Sequence, residues 1–322
     1  GPAGRGARGD HGHRPGLIFP IEPVSFSGVQ SPAVQTLIIG NGAAALAALE
    51  AFRRADPSSP LTLVSEEPGP AYSRVLLPYC LRGALPWPKA FIRDAADYQR
   101  LGAQTRFGTR VRRVDTAAGR LELDSGERLP YERLLVTTGA RPTVPPIPGL
   151  PALLGTRAFH LWTLDDARRL EGQLQPGRRV LVLGSGFIAL QAAWAASVRG
   201  ARVTVYELEK RVMPTALDET GAGLLAERIR AHGVELAVGV QTEGFEAAAH
   251  GQAVRVLARD RGPLEVDLVI VGTGVRPNVE LLEGAAVTVT RGIPVDRYLR
   301  TSAEGIFAAG DVAAGPTVFG EE

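Results

Sequence analysis

The sequence predicts an α/β protein built from two doubly wound, Rossmann-like domains. An apolar strand, a glycine turn and an alanine-rich helix follow one another in residues 36–45, Thr-Leu-Ile-Ile-Gly-Asn-Gly-Ala-Ala-Ala. The same order recurs in residues 179–189, Arg-Val-Leu-Val-Leu-Gly-Ser-Gly-Phe-Ile-Ala. Each helix leads into a second apolar strand, at residues 61–64 and 202–206, followed by a carboxylate. Such a unit binds a dinucleotide, so two units predict two nucleotides and electron transfer between them.

Small residues in each turn have separate roles. Gly40 makes the tight turn, Gly42 lets the backbone approach a pyrophosphate, and Ala45 allows the helix to pack closely on the strand. The corresponding residues of the second unit are Gly184, Gly186 and Ala189. In both units the helix N-terminus supplies free N–H groups and the positive end of the helix dipole.

Composition excludes several classes of protein. Of the 322 residues, 45% are hydrophobic and 22% charged, which is ordinary for a globular protein with a sizeable core. The formal net charge is +2 and the arginines are scattered, which indicates neither a nucleic-acid face nor a membrane-surface patch. No apolar run reaches the roughly 18 residues that a bilayer span requires.

Cysteine and histidine usage limits the chemistry further. The single cysteine, Cys80, excludes an internal disulfide, a protein-ligated iron–sulfur cluster and a cysteine-based zinc site. It fits a reducing compartment, so we expect a cytoplasmic protein. The histidines are isolated or lie near the N-terminus, and no metal site is expected. Residues 1–32, rich in Gly, Pro, Arg and His without periodicity, are expected to be a disordered tail or an expression remnant.

Carboxylates after the second strand of each unit can bind a ribose. Glu66 or Glu67 can accept hydrogen bonds from ribose in the first unit, and Glu207 can do so in the second. A carboxylate at Glu207 repels a 2′-phosphate, which favours NADH over NADPH, although Arg211 is near enough in sequence to complicate this preference.

Residues 67–74, Glu-Pro-Gly-Pro-Ala-Tyr-Ser-Arg, resemble a family. It comprises the FAD-dependent pyridine nucleotide oxidoreductases of the ferredoxin/rubredoxin reductase, NADH oxidase and nitrite-reductase flavin-module type, and the resemblance covers about residues 33–320. It implies glutathione-reductase-like FAD and NAD domains. It favours Glu67 as the FAD ribose ligand and places Arg74 near the flavin or its phosphates.

Two further segments extend the resemblance. Residues 131–142 look like the family's strand ending in an Ala-Thr-Gly type motif, with Thr137 in place of the usual Ala. Residues 301–312 resemble the second FAD motif, in which the aspartate binds the flavin ribitol. The resemblance thereby implies further FAD-binding residues: Thr138, Gly139, Arg141, Gly310 and Asp311.

The nicotinamide side shows one departure from the family. Relatives often carry Glu at the position of Gln191, where it approaches the nicotinamide carboxamide, and Gln keeps the hydrogen bond without the charge. Gly274 lies in a segment that echoes residues 137–142, as expected for structural repeats, and is expected to contact NADH.

The motifs imply a domain order. We expect an FAD-binding domain made of residues 33–145 plus 269–322, with an NAD(H)-binding domain of residues 146–268 inserted in it. Family members usually continue into an interface domain beyond the position of Glu322, so we expect either truncation or a partner polypeptide that completes the site.

The resemblance implies that NADH reduces FAD, which passes electrons to a redox protein of rubredoxin or ferredoxin type, or to another redox subunit. Catalytic positions beside the flavin are Tyr79 and Cys80. In relatives that reduce peroxide or oxygen the flavin-facing cysteine stands at the position of Tyr79, and Cys80 is one residue late, a rotation of about 100° on a helix. Two alternatives stay open: an NADH oxidase or peroxidase that uses Cys80, and a non-catalytic nucleotide-binding subunit of a larger redox complex.

Overall fold

A computed structural model describes residues 35–248 and 253–316. The predicted tail of residues 1–32 lies outside the described residues. The helices are α1 (Ala43–Ala55), α2 (Leu77–Leu81), α3 (Ala95–Arg100), α4 (Leu150–Leu153), α5 (Leu164–Gln173), α6 (Phe187–Val198) and α7 (Glu219–Ala231), with 3₁₀ turns at Arg74–Leu76, Trp87–Ala90 and Glu280–Leu282.

The strands of the described residues make up two larger and four smaller sheets. In chain order they are β1 (Thr36–Ile39), β2 (Leu61–Val64), β3 (Gln104–Arg106), β4 (Val111–Asp115), β5 (Arg120–Leu123), β6 (Arg128–Pro130), β7 (Arg133–Val136), β8 (Ala140–Pro142), β9 (Ala158–Phe159) and β10 (Arg179–Leu183). They continue with β11 (Arg202–Tyr206), β12 (Glu235–Ala237), β13 (Thr242–Ala247), β14 (Val254–Ala258), β15 (Leu264–Val266), β16 (Leu268–Val271), β17 (Val275–Pro277), β18 (Ile293–Pro294), β19 (Ile306–Ala308) and β20 (Ala313–Ala314).

The first sheet has the order β19-β7-β1-β2-β3, and all its pairings are parallel. Its central strand β1 is buried along its whole length, with Thr36 opposite Leu61 on one side and Arg133 on the other. A parallel strand that is covered on both faces consists of a continuous run of apolar residues. This run is the pattern from which the sequence predicts β1.

The second sheet repeats this arrangement in the order β12-β11-β10-β16-β9, again with parallel pairings only. Val180 of the central strand β10 stands opposite Val203 of β11 and Leu268 of β16. Each sheet therefore has a glycine turn at the carboxyl end of its central strand. The prediction of an α/β fold with two Rossmann-like units is confirmed.

An antiparallel ribbon joins the parts of the chain that carry the two sheets. In it, β8 pairs with β17, and Arg141 lies opposite Arg276. The predicted domain boundary between residues 268 and 269 falls inside β16, which belongs to the second sheet. A division at this ribbon follows the sheets more closely, and the assignment of FAD and NAD(H) domains stays a prediction.

One hydrophobic core spans both parts of the chain. Leu77 and Leu81 of α2, which follows β2 of the first sheet, are buried among residues of α5, α6 and the second sheet, including Leu170 and Ala192. Such packing fixes the position of α2 against the second sheet, because close-packed side chains resist displacement.

Asp267 ties the start of β10 to the strand beside it. Its carboxylate accepts hydrogen bonds from the Arg179 backbone N–H at 2.9 Å and from Arg179 Nη2 at 2.8 Å. These bonds, chiefly the one from the guanidinium, hold the pKa of Asp267 below its ordinary value. A carboxyl whose pKa is lower in the folded state stabilises the protein above its unfolded pKa and loses that effect as pH falls.

We therefore expect Asp267→Asn to lower the free energy of unfolding by about 1–2 kcal/mol at neutral pH, since bonds to a charged acceptor are lost. The difference should shrink as pH falls below about 4. Denaturant unfolding of both proteins across that pH range measures it. Glu243→Gln, which removes a well-exposed ion pair with Arg259, is the matched control and should change stability little. A deficit that is constant with pH would contradict the prediction.

Candidate nucleotide-binding sites

The first glycine turn connects β1 to α1. Gly40 has a φ of +112°, and a Cβ placed there would overlap the Thr137 carbonyl oxygen and lie 2.7 Å from its carbonyl carbon. Thr137 is itself fixed, since its Oγ1 donates to the Ile39 carbonyl at 2.7 Å. At Gly42, by contrast, a Cβ would meet nothing within 4 Å. The backbone at Gly42 thus borders open space, as approach of a pyrophosphate requires.

The second glycine turn repeats this geometry between β10 and α6. Gly184 has a φ of +93°, and its Cβ would overlap the carbonyl of Gly272. Gly272 is also close to the helix, because its own Cβ would lie 2.7 Å from Ala189 Cβ. A Cβ at Gly186 would meet nothing within 4 Å. Ala189 therefore lies at the close helix-to-strand contact that the sequence predicts; Ala45, its counterpart on α1, is fully buried.

The N-termini of α1 and α6 differ from those of the other long helices. Thr163 caps α5 and Asp218 caps α7, each with a side-chain oxygen that accepts a backbone N–H. Neither α1 nor α6 has a side-chain cap or an acidic residue in its first turn. Their first N–H groups and positive dipole ends are left for an anion, which fits a dinucleotide pyrophosphate at each turn.

We expect Gly42→Ala to leave the fold intact, because the added methyl meets no protein atom, and to weaken FAD binding at least about tenfold, because the methyl enters the pyrophosphate space. Gly186→Ala should weaken NADH binding in the same way. Fluorescence titration with each nucleotide, alongside thermal unfolding, separates the two effects. Gly172→Ala, on the exposed side of α5, is the control. Unchanged affinity for both nucleotides would contradict the expectation.

Asp311 lies at the same end of the first sheet as the first glycine turn. It follows β19, which pairs with β7, and the backbone N–H of Ala309 donates to the Val136 carbonyl at 3.1 Å. A Cβ on Gly310 would lie 3.1 Å from Ala44 Cβ at the start of α1. The fold thus brings Gly310 and the exposed Asp311 beside the turn of Gly40 and Gly42, although they are far apart in sequence.

Glu66 and Glu67 lie in different surroundings. Glu66 is exposed and lies 3.8 Å from Arg110. The Glu67 carboxylate accepts hydrogen bonds from the Tyr72 hydroxyl and from Arg74 Nη2. Burial raises the pKa of Tyr72 well above its ordinary value. Both Glu67 oxygens therefore already have protein donors, while Glu66 has only a distant one.

Arg74 connects the segment after β2 to the segment before α5. Its Nη1 donates to the Trp162 carbonyl at 2.7 Å, and its guanidinium carbon lies 5.3 Å from the centroid of the Trp162 ring. The Tyr72 hydroxyl accepts the Leu164 backbone N–H at 2.9 Å. Arg74 thus binds Glu67 in the segment after β2 and Trp162 in the segment before α5.

Thr138, Gly139 and Arg141 lie at the ribbon that joins the two halves. Thr138 Oγ1 donates to the Asn278 carbonyl at 2.8 Å, and Gly139 has a φ of +64°. Arg141 Nη1 donates to Glu280 Oε2 at 2.7 Å and to Asn278 Oδ1 at 2.8 Å. The side chains of Thr138 and Arg141 therefore hold the ribbon.

Glu207 is buried at the end of β11, beside the second turn, with 7% of its surface exposed. Its Oε2 accepts the Ser185 hydroxyl at 2.5 Å, and its Oε1 accepts the Glu209 backbone N–H at 2.8 Å. Sequence reasoning missed Ser185. The available signal was a hydroxyl between the two glycines of the turn, where no helix cap forms.

The helix after the second glycine turn carries an unpartnered acceptor. Gln191 Oε1 on α6 is buried and has no hydrogen-bond partner in the described part of the chain. A buried acceptor without a donor is costly, so this atom fits a ligand group such as a carboxamide NH₂. Gly274 has a φ of +101° and no atom within 4 Å of its Cβ position, which leaves open space at the end of the second sheet.

Cys80 and Tyr79 lie on α2. Cys80 is 2% exposed, and its Sγ lies 3.9 Å from the Pro86 carbonyl. Burial raises the pKa of the Cys80 thiol, and the negative charge of Glu171 raises it further. Tyr79 is half-buried, with the Arg82 guanidinium carbon 4.3 Å from its ring centroid. A buried neutral thiol is a poor nucleophile.

Comparison with known proteins places this chain in a family. The model of the pyridine nucleotide-disulphide oxidoreductases matches residues 34–320, and the chain belongs to that family. The chain is 40% identical over 281 residues to the ferredoxin–NAD(+) reductase component of an anthranilate 1,2-dioxygenase system from Burkholderia cepacia, covering 86% of this chain and 67% of that protein. It is 33% identical to the epsilon subunit of an NADH-dependent phenylglyoxylate dehydrogenase from Aromatoleum evansii, covering 86% and 65%.

A solved structure of a reductase also resembles the structure of this chain. Putidaredoxin reductase in its covalent complex with putidaredoxin superposes with a TM-score of 0.84 at 28% identity, covering 88% of this chain and 69% of that one. The resemblance to FAD-dependent pyridine nucleotide oxidoreductases is confirmed, as are the oxidoreductase class and the pairing of FAD with NADH as cofactors. The chain spans about two thirds of the length of these relatives. Within the described ranges, no helix is long and apolar enough to cross a membrane.

Proposed function

We propose that this chain oxidises NADH through FAD and passes the electrons to a redox protein of ferredoxin or rubredoxin type. The observation that carries this proposal is the pair of glycine turns, each leading to an uncapped helix, in a single compact unit of the described residues. Two relatives of the chain support the acceptor class, since one is a ferredoxin reductase component and the other was solved with putidaredoxin.

The chain's own groups would hold the two nucleotides as follows. Gly40, Gly42, Ala45 and the α1 N-terminus would bind the FAD pyrophosphate, and Asp311 would accept from the ribitol hydroxyls. Glu66 or Glu67 would accept from the FAD ribose: Glu66 is exposed, and each Glu67 oxygen has one protein donor and keeps a further lone pair.

The second turn would hold NADH in the same manner. The N-terminus of α6 would bind its pyrophosphate, Glu207 would accept from the adenosine ribose, and Gln191 Oε1 would accept from the carboxamide NH₂. The bound cofactors supply the hydride and electron transfer, and the protein orients them and excludes water. Since α2 shares one core with α5 and α6, the protein holds the flavin side and the nicotinamide side in a fixed relation.

Anaerobic titration of the FAD-loaded 322-residue chain with NADH tests the proposal. We expect the visible flavin band to bleach and to return when oxidised ferredoxin or rubredoxin is added. A chain that takes up no FAD, or a flavin that NADH leaves oxidised, would refute the function. Recovery only with a co-purified second polypeptide would instead support a subunit of a larger complex, as the epsilon-subunit relative suggests. We place the protein in the cytoplasm, consistent with its single thiol.

The alternative function is peroxide reduction through Cys80. The burial of the Cys80 thiol disfavours it. We expect Cys80→Ser to leave NADH-dependent acceptor reduction within about twofold of the unsubstituted rate, since the cofactors carry the chemistry. The measurement is steady-state turnover with each acceptor. Loss of peroxide turnover in the Cys80→Ser variant would instead establish that the protein is an NADH oxidase or peroxidase that uses Cys80.

A further inference from the structure

Ser185 lies at the centre of a buried hydrogen-bond chain. Its side chain is fully buried, and its hydroxyl donates to Glu207 Oε2 at 2.5 Å. Ser185 Oγ also accepts the Met213 backbone N–H at 3.2 Å. One hydroxyl therefore joins the glycine turn, the carboxylate after β11, and the loop that follows it.

The backbone of that loop is strained at Met213, which shows that contacts with the rest of the protein hold the loop in place. Met213 has a φ of +47°, a left-handed conformation that is strained for a residue with a long side chain. Its side chain is 7% exposed, and its N–H is the group that Ser185 binds. Without the Ser185 oxygen this N–H would lose its acceptor, and the loop would be free to relax.

The loop also restrains Arg211, one of the two cations that follow Glu207 in sequence. Arg211 Nη2 donates to the Pro214 carbonyl at 3.0 Å, and its Nε donates to the Leu217 carbonyl at 3.2 Å. Both acceptors belong to the same segment, so Arg211 is directed to its own backbone. It would have to break these bonds to neutralise a phosphate.

Glu207 can still bind ribose in this arrangement. Each carboxylate oxygen has one protein donor and retains a further lone pair, enough to accept from two ribose hydroxyls. A 2′-phosphate would meet a poorly solvated carboxylate at Glu207, which is strongly unfavourable.

We propose that Ser185 is a positioning residue for nucleotide selection. By fixing the Glu207 carboxylate and the loop of Met213 and Arg211, it makes the second site select a free 2′-hydroxyl over a 2′-phosphate. This inference rests on the proposed nicotinamide role of the second turn.

Calorimetric binding of ADP-ribose and 2′-phospho-ADP-ribose to the FAD-loaded chain tests it without requiring turnover. We expect Ser185→Ala to reduce the affinity ratio between these two ligands about tenfold, which corresponds to loss of one hydrogen bond to a charged group. Ser197→Ala, the same change at the far end of α6, should leave the ratio unaltered.

A double-mutant cycle separates positioning from a general structural effect. In a Glu207→Gln background, Ser185→Ala should change the ratio by less than about twofold, because the group that Ser185 positions has lost its charge. If Ser185→Ala does not fold, Ser185→Cys keeps the shape with a weak donor and should show the same direction.

A ratio that stays within about twofold in Ser185→Ala, or an equal loss in both backgrounds, would overturn the inference while leaving the proposed function intact. Binding of neither ligand to the unsubstituted chain would overturn the nicotinamide site itself, and the inference with it.

Discussion

Gly40→Ala is expected to destabilise the fold by at least about 2–4 kcal/mol and to abolish FAD uptake. Alanine at a φ of +112° is strained, and its Cβ would overlap the carbonyl of Thr137, which directly follows β7, the strand beside β1. Neither backbone can move aside easily, because β1 and β7 are paired along their length and Thr137 bonds back to Ile39.

Denaturant unfolding and flavin content measure this effect. Gly42→Ala, two residues further on, is the matched control, because its Cβ meets no protein atom and only the nucleotide is affected. A Gly40→Ala protein with the unfolding midpoint of the unsubstituted chain would show that the turn is not constrained in this way.

Leu81→Ala is expected to lower the free energy of unfolding by about 2–5 kcal/mol, the range for deleting a fully buried leucine. The loss should exceed that of a peripheral site, since Leu81 lies where α2 meets α5 and α6. We also expect slower flavin reduction by NADH, because the resulting cavity loosens the contact of α2 with α5 and α6. Chemical denaturation and stopped-flow reduction measure the two effects.

Leu224→Ala is the control for this substitution. Leu224 lies on α7 with 66% of its surface exposed, so its replacement should change stability by less than about 0.5 kcal/mol. A Leu81→Ala protein as stable as the control would contradict the shared core.

Local pattern was sufficient to predict the parts of the fold that depend on neighbouring residues. The strands β2 and β11 have the predicted bounds. The close contacts of Gly40 and of Gly184 follow from a turn geometry that the glycine spacing encodes.

Long-range pairings could not be predicted in this way. Nothing in the spacing indicates that Arg141 pairs with Glu280, or that Arg74 reaches the Trp162 carbonyl, because these partners meet only after both sheets have formed. The strand β16 is similar: its apolar run and the motif after it indicate a return to the first sheet, but it pairs with β10 and β9 of the second sheet. Which strand pairs with which is decided by the assembled sheet.

The β8–β17 ribbon indicates where one part of such a chain could be replaced by protein engineering. Pro142 lies opposite Val275, and the Thr143 N–H donates to the Gly274 carbonyl at 2.9 Å, so the chain leaves the first sheet's half and re-enters it at neighbouring points. Paired strands place such Cα atoms about 5 Å apart. We therefore expect the segment between β8 and β17 to be replaceable as a unit. A segment of different nucleotide preference could be inserted at the ribbon, provided that it offers α2 a matching apolar surface.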